Sequence, residues 1–264
     1  MIRYLLLGLV QGVAEFLPIS SSGHLVLAQR VLGIDSPGVL LEAILHLATL
    51  VPVVWLLRKD LARLLGSLTA RGDRDARREV LLLAMGTIPV VAAGLLTEDR
   101  LERAFASLLV VGVALLATGG LLLLASWAGR RAVRRRLSLV DAVAVGLAQA
   151  AALVPGLSRS GATISAGLLR GVRGGEAARF SLLLSIPAVL GAASLKLVRV
   201  AEAGPATLSR EAWGGLLLAA LVAGIVGAFA VKLLLAAAAR NRLAPFGVYC
   251  LAIGTVTVLL ARVG

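Results

Sequence analysis

The stretch Gln11–His24, QGVAEFLPISSSGH, sits inside an apolar N-terminal segment and is no ordinary part of one. It carries a carboxylate at Glu15, a proline at Pro18, serines at Ser20, Ser21 and Ser22, and a histidine at His24. In hydrocarbon, interrupted backbone and ionisable groups persist only where protein buries them or where they line a wet cavity. The stretch is therefore either a site within a membrane protein or the mark of a soluble fold.

Composition separates the two. A soluble domain has about 25% charged and about 45–50% apolar residues. Here 16% of 264 residues are charged and 59% are apolar, and the mean hydropathy is +0.96. Several runs reach the roughly 20 apolar residues that a bilayer requires. The expected class is an all-α, polytopic integral membrane protein. A net charge of +13 would suit nucleic acid, but the arginines cluster in short loops between spans. That is the positive-inside pattern, so no nucleic-acid partner is expected. The single cysteine, Cys250, excludes an internal disulfide framework. No cleavable signal peptide is expected either, because the short apolar start runs straight into the polar stretch.

In order, a short helix over 4–10, the polar stretch and a second short helix over 24–32 form a re-entrant hairpin broken near Pro18. Spans are expected over 38–57, 79–96, 105–128, 180–198, 213–236 and 243–262. The basic loops 58–78 and 129–137 and the turn 240–242 are expected in the cytoplasm, and the loops 97–104 and 199–212 outside. A second polar interruption, QAAALVPGLSRSGAT, covers 149–163.

The two interruptions correspond. At an offset of 138, Gly8 meets Gly146, Gln11 meets Gln149, Ser20 meets Ser158, Ser22 meets Ser160 and Gly23 meets Gly161. The chain reads as one transmembrane domain of two repeats, about 1–128 and about 138–264, with an odd number of crossings between the hairpins. The copies must then face opposite ways, and inverted-topology repeats with two re-entrant helical hairpins place a site near the midplane. Each copy has a Ser-x-Ser-Gly turn before a helical run, and helix N-termini favour anions. With Arg159 between them, two such ends make a phosphate cradle.

Each polar residue has a plainer alternative. Ser21 is a candidate nucleophile, with His24 three residues on as its base, but a serine there can also just cap a helix. Glu15, with Gln11 one turn earlier and the serines just beyond, is a site carboxylate or simply one near the water interface, neutral or paired. Arg159 at bilayer depth calls for an anion, either phosphate or Glu15 itself. Thr163 is a further phosphate donor or a structural hydroxyl, and Glu42 with His46 offers supporting contacts or a structural pair.

At these residues the chain resembles the bacitracin-resistance type undecaprenyl-diphosphate phosphatases. Gln11-x-x-x-Glu15 with Phe16 to His24 is similar to their first signature, and Pro155 to Thr163 (PGLSRSGAT) is similar to their second. Gln11 lies within the Glu/Gln variation of that family, so any role for a second carboxylate there is lost. The resemblance implies a multi-pass enzyme of the bacterial inner membrane, with a site opening outward. It would remove the terminal phosphate of undecaprenyl diphosphate, a polyprenyl lipid, with Mg²⁺ or Ca²⁺ as cofactor. The catalytic set is then Glu15, Ser21, His24 and Arg159, with Glu15 also the metal ligand. The substrate-binding set is Gln11, Ser20, Ser22, Gly23, Ser158, Ser160, Gly161 and Thr163. Direct attack by water stays open beside the serine route, and a lipid transporter is the rival class. Gly112, Gly119, Gly214, Gly224 and Gly227 permit close helix contact within one chain or in a homodimer.

Overall fold

The computed structural model describes residues 1–32, 38–69, 73–202 and 210–263. These are helical apart from turns and one isolated bridge between Arg134 and Val172. The apolar start forms α1 (Ile2–Ala14), longer than expected, and α2 (Ser21–Leu32) begins at the serines themselves. The break between them is short because Ser20, with φ 74°, reverses the chain in a single left-handed residue. The Ser20 hydroxyl accepts from the Gly23 amide at 3.3 Å and so caps α2.

There follow α3 (Gly38–Leu56), α4 (Arg58–Gly66), α5 (Arg74–Leu96), α6 (Glu98–Ala106) and α7 (Leu108–Gly129). The second half contains α8 (Leu139–Ala151), α9 (Arg159–Leu169), α10 (Gly174–Glu202), α11 (Arg210–Ala239) and α12 (Ala244–Val263). By length and composition α5, α7, α10, α11 and α12 can cross a membrane, and α3 with α4, bent by 76°, forms either a sixth, broken span or a re-entrant loop. The protein is therefore an all-α, multi-pass membrane protein.

Two expected loops are helices instead. Residues 58–78 contain α4, because Leu57, Leu61 and Leu64 fall on one side and pack into the core despite the surrounding charge. Residues 97–104 belong to α6, whose Leu101 and Phe105 are one turn apart. Of the loop expected over 199–212, residues 203–209 lie outside the described residues.

Helix starts recur at the sequence offset. Moved by 138, the first residues of α1, α2, α3, α5 and α7 fall within two residues of those of α8, α9, α10, α11 and α12. The packing follows suit, since α1 lies on α11 while α8 lies on α5, and α3 meets α10 as α7 meets α12. Gly112 faces Val258 and Gly254, and Gly119 faces Leu251 and Gly247, so α7 and α12 run antiparallel. Small residues at such a seam let backbones approach, which is the main source of helix attraction where lipid is as apolar as the side chains. Gly224 and Gly227 also pack within the chain, against Ala48 and Phe16, whereas Gly214 has open space around it.

The basic loops gather on one face. Arg78 donates to the Leu137 carbonyl at 2.6 Å, and Arg136 pairs with Asp75 at 2.9 Å. Arg179, near the start of α10, bridges Asp60 at 2.6 Å and Glu79 at 2.5 Å.

The α5–α8 contact is a sharp test of this packing, because a Cβ on Gly146 would lie 2.3 Å from the Gly86 carbonyl oxygen. Gly146→Ala should lower stability by about 1–3 kcal/mol through overpacking. Gly120→Ala, where nothing lies within 4 Å, should be neutral or stabilising. Thermal unfolding of both variants in detergent measures the difference.

Candidate active site

The two interrupted hairpins meet. Gly23 of α2 packs on Gly156, and the Gly156 amide donates to the Ser22 hydroxyl at 3.4 Å. Gly156 has φ 94°, and a Cβ there would strike the Val111 carbonyl oxygen at 2.4 Å, so only glycine fits this turn. Thr118 of α7 pins the same turn, donating to the Gly156 carbonyl at 3.0 Å and accepting from the Ser158 amide at 3.0 Å.

The Ser-x-Ser-Gly turns are alike in detail. Ser158 accepts from the Gly161 amide at 3.0 Å, as Ser20 does from Gly23. The Ser20 and Ser22 hydroxyls lie 3.2 Å apart, and those of Ser158 and Ser160 lie 3.3 Å apart. These serines therefore order two helix starts. With the third amide capped, the amides of Ser21 and Ser22 and those of Arg159 and Ser160 have no partner within their helices. Two N-terminal ends with free amides and partial positive charge suit an anion.

Glu15 sits where the hairpins touch and is 7% exposed. Arg159 donates to its Oε1 at 2.7 Å, and Ser21 donates to its Oε2 at 2.7 Å. Gln11 also donates to Oε2, at 3.0 Å. His46 donates through Nδ1 to the Glu42 carbonyl at 2.8 Å, which leaves its Nε2 3.9 Å from Glu15 Oε2. The surroundings thus hold a negative charge on Glu15 and aim the Ser21 proton at it. A cavity of about 200 Å³ opens over Glu15, Ser20, Ser21, Ser22, His46, Gln149, Ser158 and Arg159.

The structure brings together Gln11, Glu15, Ser21 and Arg159, with the serines around them. It does not bring His24 to Ser21, which is a correction to the expected serine–histidine pair. His24 Nδ1 donates to the Ser20 carbonyl at 2.8 Å, and its Nε2 lies 2.8 Å from the Tyr249 hydroxyl. The left-handed turn at Ser20 presents its carbonyl beneath the imidazole, and stacking on Tyr249 at 5.6 Å holds the ring there. Thr163 is wholly buried, bonded to the Arg159 carbonyl at 2.8 Å and to Ser181 at 2.6 Å, so it steadies the Arg159 backbone. Sequence reasoning gave His46 only a supporting place and gave Gln149 none, although both line the cavity. The match of Gln149 to Gln11 was the available signal. Glu42, four residues before His46, pairs with Lys196 instead.

A resident divalent cation fits these residues poorly. Among the described residues Glu15 is the sole carboxylate lining the cavity, and Arg159 already engages it. Among the described residues no three His, Cys, Asp or Glu side chains gather as a ligand set.

A serine–arginine pair on a buried carboxylate between two helix N-termini, inside a multi-pass helical fold, defines a membrane protein with an anion-binding site. The family described as Bacitracin resistance protein BacA matches residues 4–256. The chain is 43% identical over 270 residues to the undecaprenyl-diphosphatase of Rubrobacter xylanophilus, with 98% of each chain covered. It is 36% identical over 262 residues to the undecaprenyl-diphosphatase of Halothermothrix orenii, covering 99% of this chain and 98% of that one. The chain belongs to the BacA family.

Removing Arg159 would leave the Glu15 carboxylate buried and unpaired. Because the Arg159 side chain is 20% exposed, Arg159→Ala should destabilise toward the lower end of about 3–5 kcal/mol. Adding Glu15→Gln to it should restore most of that loss. A double-mutant cycle on thermal unfolding in detergent checks the coupling.

Proposed function

We propose that this protein hydrolyses undecaprenyl diphosphate to undecaprenyl phosphate and orthophosphate. That activity recycles the lipid carrier of cell-wall synthesis and underlies bacitracin resistance. Support comes from membership of the BacA family and from relatives named undecaprenyl-diphosphatase that match over nearly the whole chain. The observation that carries the chemistry is the 2.7 Å hydrogen bond from Ser21 to Glu15, beside Arg159.

In the proposed mechanism the terminal phosphate lies over the free amides of α2 and α9, with the remaining donors of Arg159 on its equatorial oxygens. Ser21 Oγ attacks the terminal phosphorus, and its proton passes to Glu15 Oε2. The bond from that phosphorus to the bridging oxygen breaks, and undecaprenyl phosphate leaves. Water then attacks the phosphoserine, Glu15 returns its proton to the departing Ser21 oxygen, and orthophosphate departs carrying both protons of the water. Little covalent work falls to the protein, so positioning and charge neutralisation dominate. A divalent cation would enter as counter-ion to the diphosphate, since the cavity lacks the carboxylates to retain one alone.

The site is proposed to form between two inverted copies, 1–128 and 138–264. Recurring helix starts and the antiparallel α7–α12 pair support this reading. We place the protein in the bacterial inner membrane, with the basic face in the cytoplasm. Phe105 of α6 and Ala192 of α10 line the cavity, which supports an outward opening.

The direct test is phosphate release from undecaprenyl diphosphate by purified protein in detergent. Ser21→Ala should reduce kcat about a thousandfold or more and abolish any trapped phosphoserine. Retention of a large fraction of the rate would favour water as the direct nucleophile and leave Ser21 as a helix-start hydroxyl. Sidedness is tested by cysteine labelling in a Cys250→Ala background on intact spheroplasts. Arg100→Cys should react with a membrane-impermeant thiol reagent, while Thr69→Cys and Arg135→Cys should react only after lysis. Ser67 is a poor labelling position because it is 1% exposed.

A further inference from the structure

Gln149 is an anomaly among the buried polar groups. It is 1% exposed on α8 and lines the same cavity as Glu15, Ser21 and Arg159. Neither its Nε2 nor its Oε1 has a hydrogen-bond partner among the described residues. Because both atoms are unpartnered, rotating the amide by half a turn does not resolve the deficit. A buried amide left in this state is costly, and native proteins keep one where a ligand completes it.

The correspondence between the two hairpins explains why it is free. Gln149 stands where Gln11 stands in the first hairpin, and Gln11 donates to Glu15 one turn on. The residue corresponding to Glu15 is Leu153, which has no acceptor to offer. The same side chain at the same helical position thus donates to a carboxylate in one hairpin, with only its Oε1 unpartnered, and in the other lines the cavity with both amide atoms unpartnered. Other buried polar atoms without partners, such as Ser165 Oγ, do not line this cavity.

We infer that Gln149 is a substrate-contacting residue whose carboxamide N–H groups donate to the diphosphate. Ionised phosphate oxygens only accept, so Nε2 is the end of the amide that meets them. Gln149 then supplies from α8 a neutral donor opposite the cationic fork of Arg159. The diphosphate is thereby gripped from both arms of the second hairpin, and Gln149 mirrors toward substrate the contact that Gln11 makes to Glu15.

This inference rests on the phosphatase reading, and the experiment separates the two. The purified full chain is assayed for phosphate release from undecaprenyl diphosphate, and its unfolding temperature is measured with and without inorganic pyrophosphate. Gln149→Leu should lower kcat/KM about tenfold to a hundredfold, as loss of a hydrogen bond to a charged group does. It should also abolish the upward thermal shift that pyrophosphate gives the wild type. Without ligand its unfolding temperature should equal or exceed that of the wild type, because an unpaired buried amide has been removed. Gln149→Glu, which turns a carboxylate toward the phosphate, should lose more activity than Gln149→Leu. Ser165→Ala should keep wild-type kinetics. If Gln149→Leu keeps both kcat/KM and the pyrophosphate shift, the inference is overturned. It is equally overturned if the variant unfolds at a lower temperature without ligand, since the amide would then be structural. A wild-type protein inert toward undecaprenyl diphosphate would overturn the phosphatase reading, while the pyrophosphate shift would still decide the role of Gln149.

Discussion

A carboxylate and a guanidinium from opposite halves of the chain, Glu15 and Arg159, meet at 2.7 Å at the junction of two broken helices. Either charge alone at that depth would be costly, by several kcal/mol after relaxation. Together, with Gln11 and Ser21 completing the Glu15 oxygens, they form a stable arrangement. That pairing requires both hairpins to enter the bundle and stop at the same level. The helix breaks, the serine caps and the close Gly23–Gly156 contact all serve this requirement.

The two hairpins share a scaffold and differ in chemistry. Ser21 and Arg159 occupy the same position, each the first residue of a helix capped by the preceding serine. In the proposed mechanism one contributes the nucleophile and the other the phosphate grip. Glu15 faces Leu153 in the correspondence, and Gln11 faces Gln149. A duplicated fold can therefore supply two anion-friendly helix ends and then specialise each by single substitutions. The ends of a helix attract phosphate regardless of side chain, so the specialised residues only have to set proton flow and orientation.

The lipid environment shapes the rest. Helices α7 and α12 approach closely through glycines, a contact that counts where lipid competes equally for apolar side chains. Charge that would be unwelcome in the bilayer is concentrated at the basic face. There Arg179 binds Asp60 and Glu79 and so ties α10 to α4 and α5. Besides its polar residues, the cavity is lined by Val90, Phe105, Leu153, Val189 and Ala192. An apolar lining there suits a substrate that carries a long hydrocarbon tail.

Much of this was legible without coordinates. Hydropathy located the spans because a bilayer demands about 20 apolar residues per crossing. The recurrence of Ser-x-Ser-Gly at one offset marked both helix starts, since capping chemistry is local and visible in four residues. Glu15, Ser21 and Arg159 stood out as candidates because polar and ionisable groups in apolar context need a reason to be there, and the structure brings them together. The helices α4 and α6 were not, because charge-rich amphipathic segments look like loops when only span-forming hydropathy is weighed. The partner of Ser21 was not readable either. Spacing placed His24 nearest in sequence, but the single residue Ser20 at φ 74° offers it a backbone carbonyl, and Tyr249, 225 residues away, takes the other nitrogen. The roles of Glu15 toward Ser21, of His46 beside it and of Gln149 across the cavity depend on which side chains converge from separate helices. Tertiary packing alone decides that, because the proximity is set by how the bundle closes and leaves no trace in local sequence.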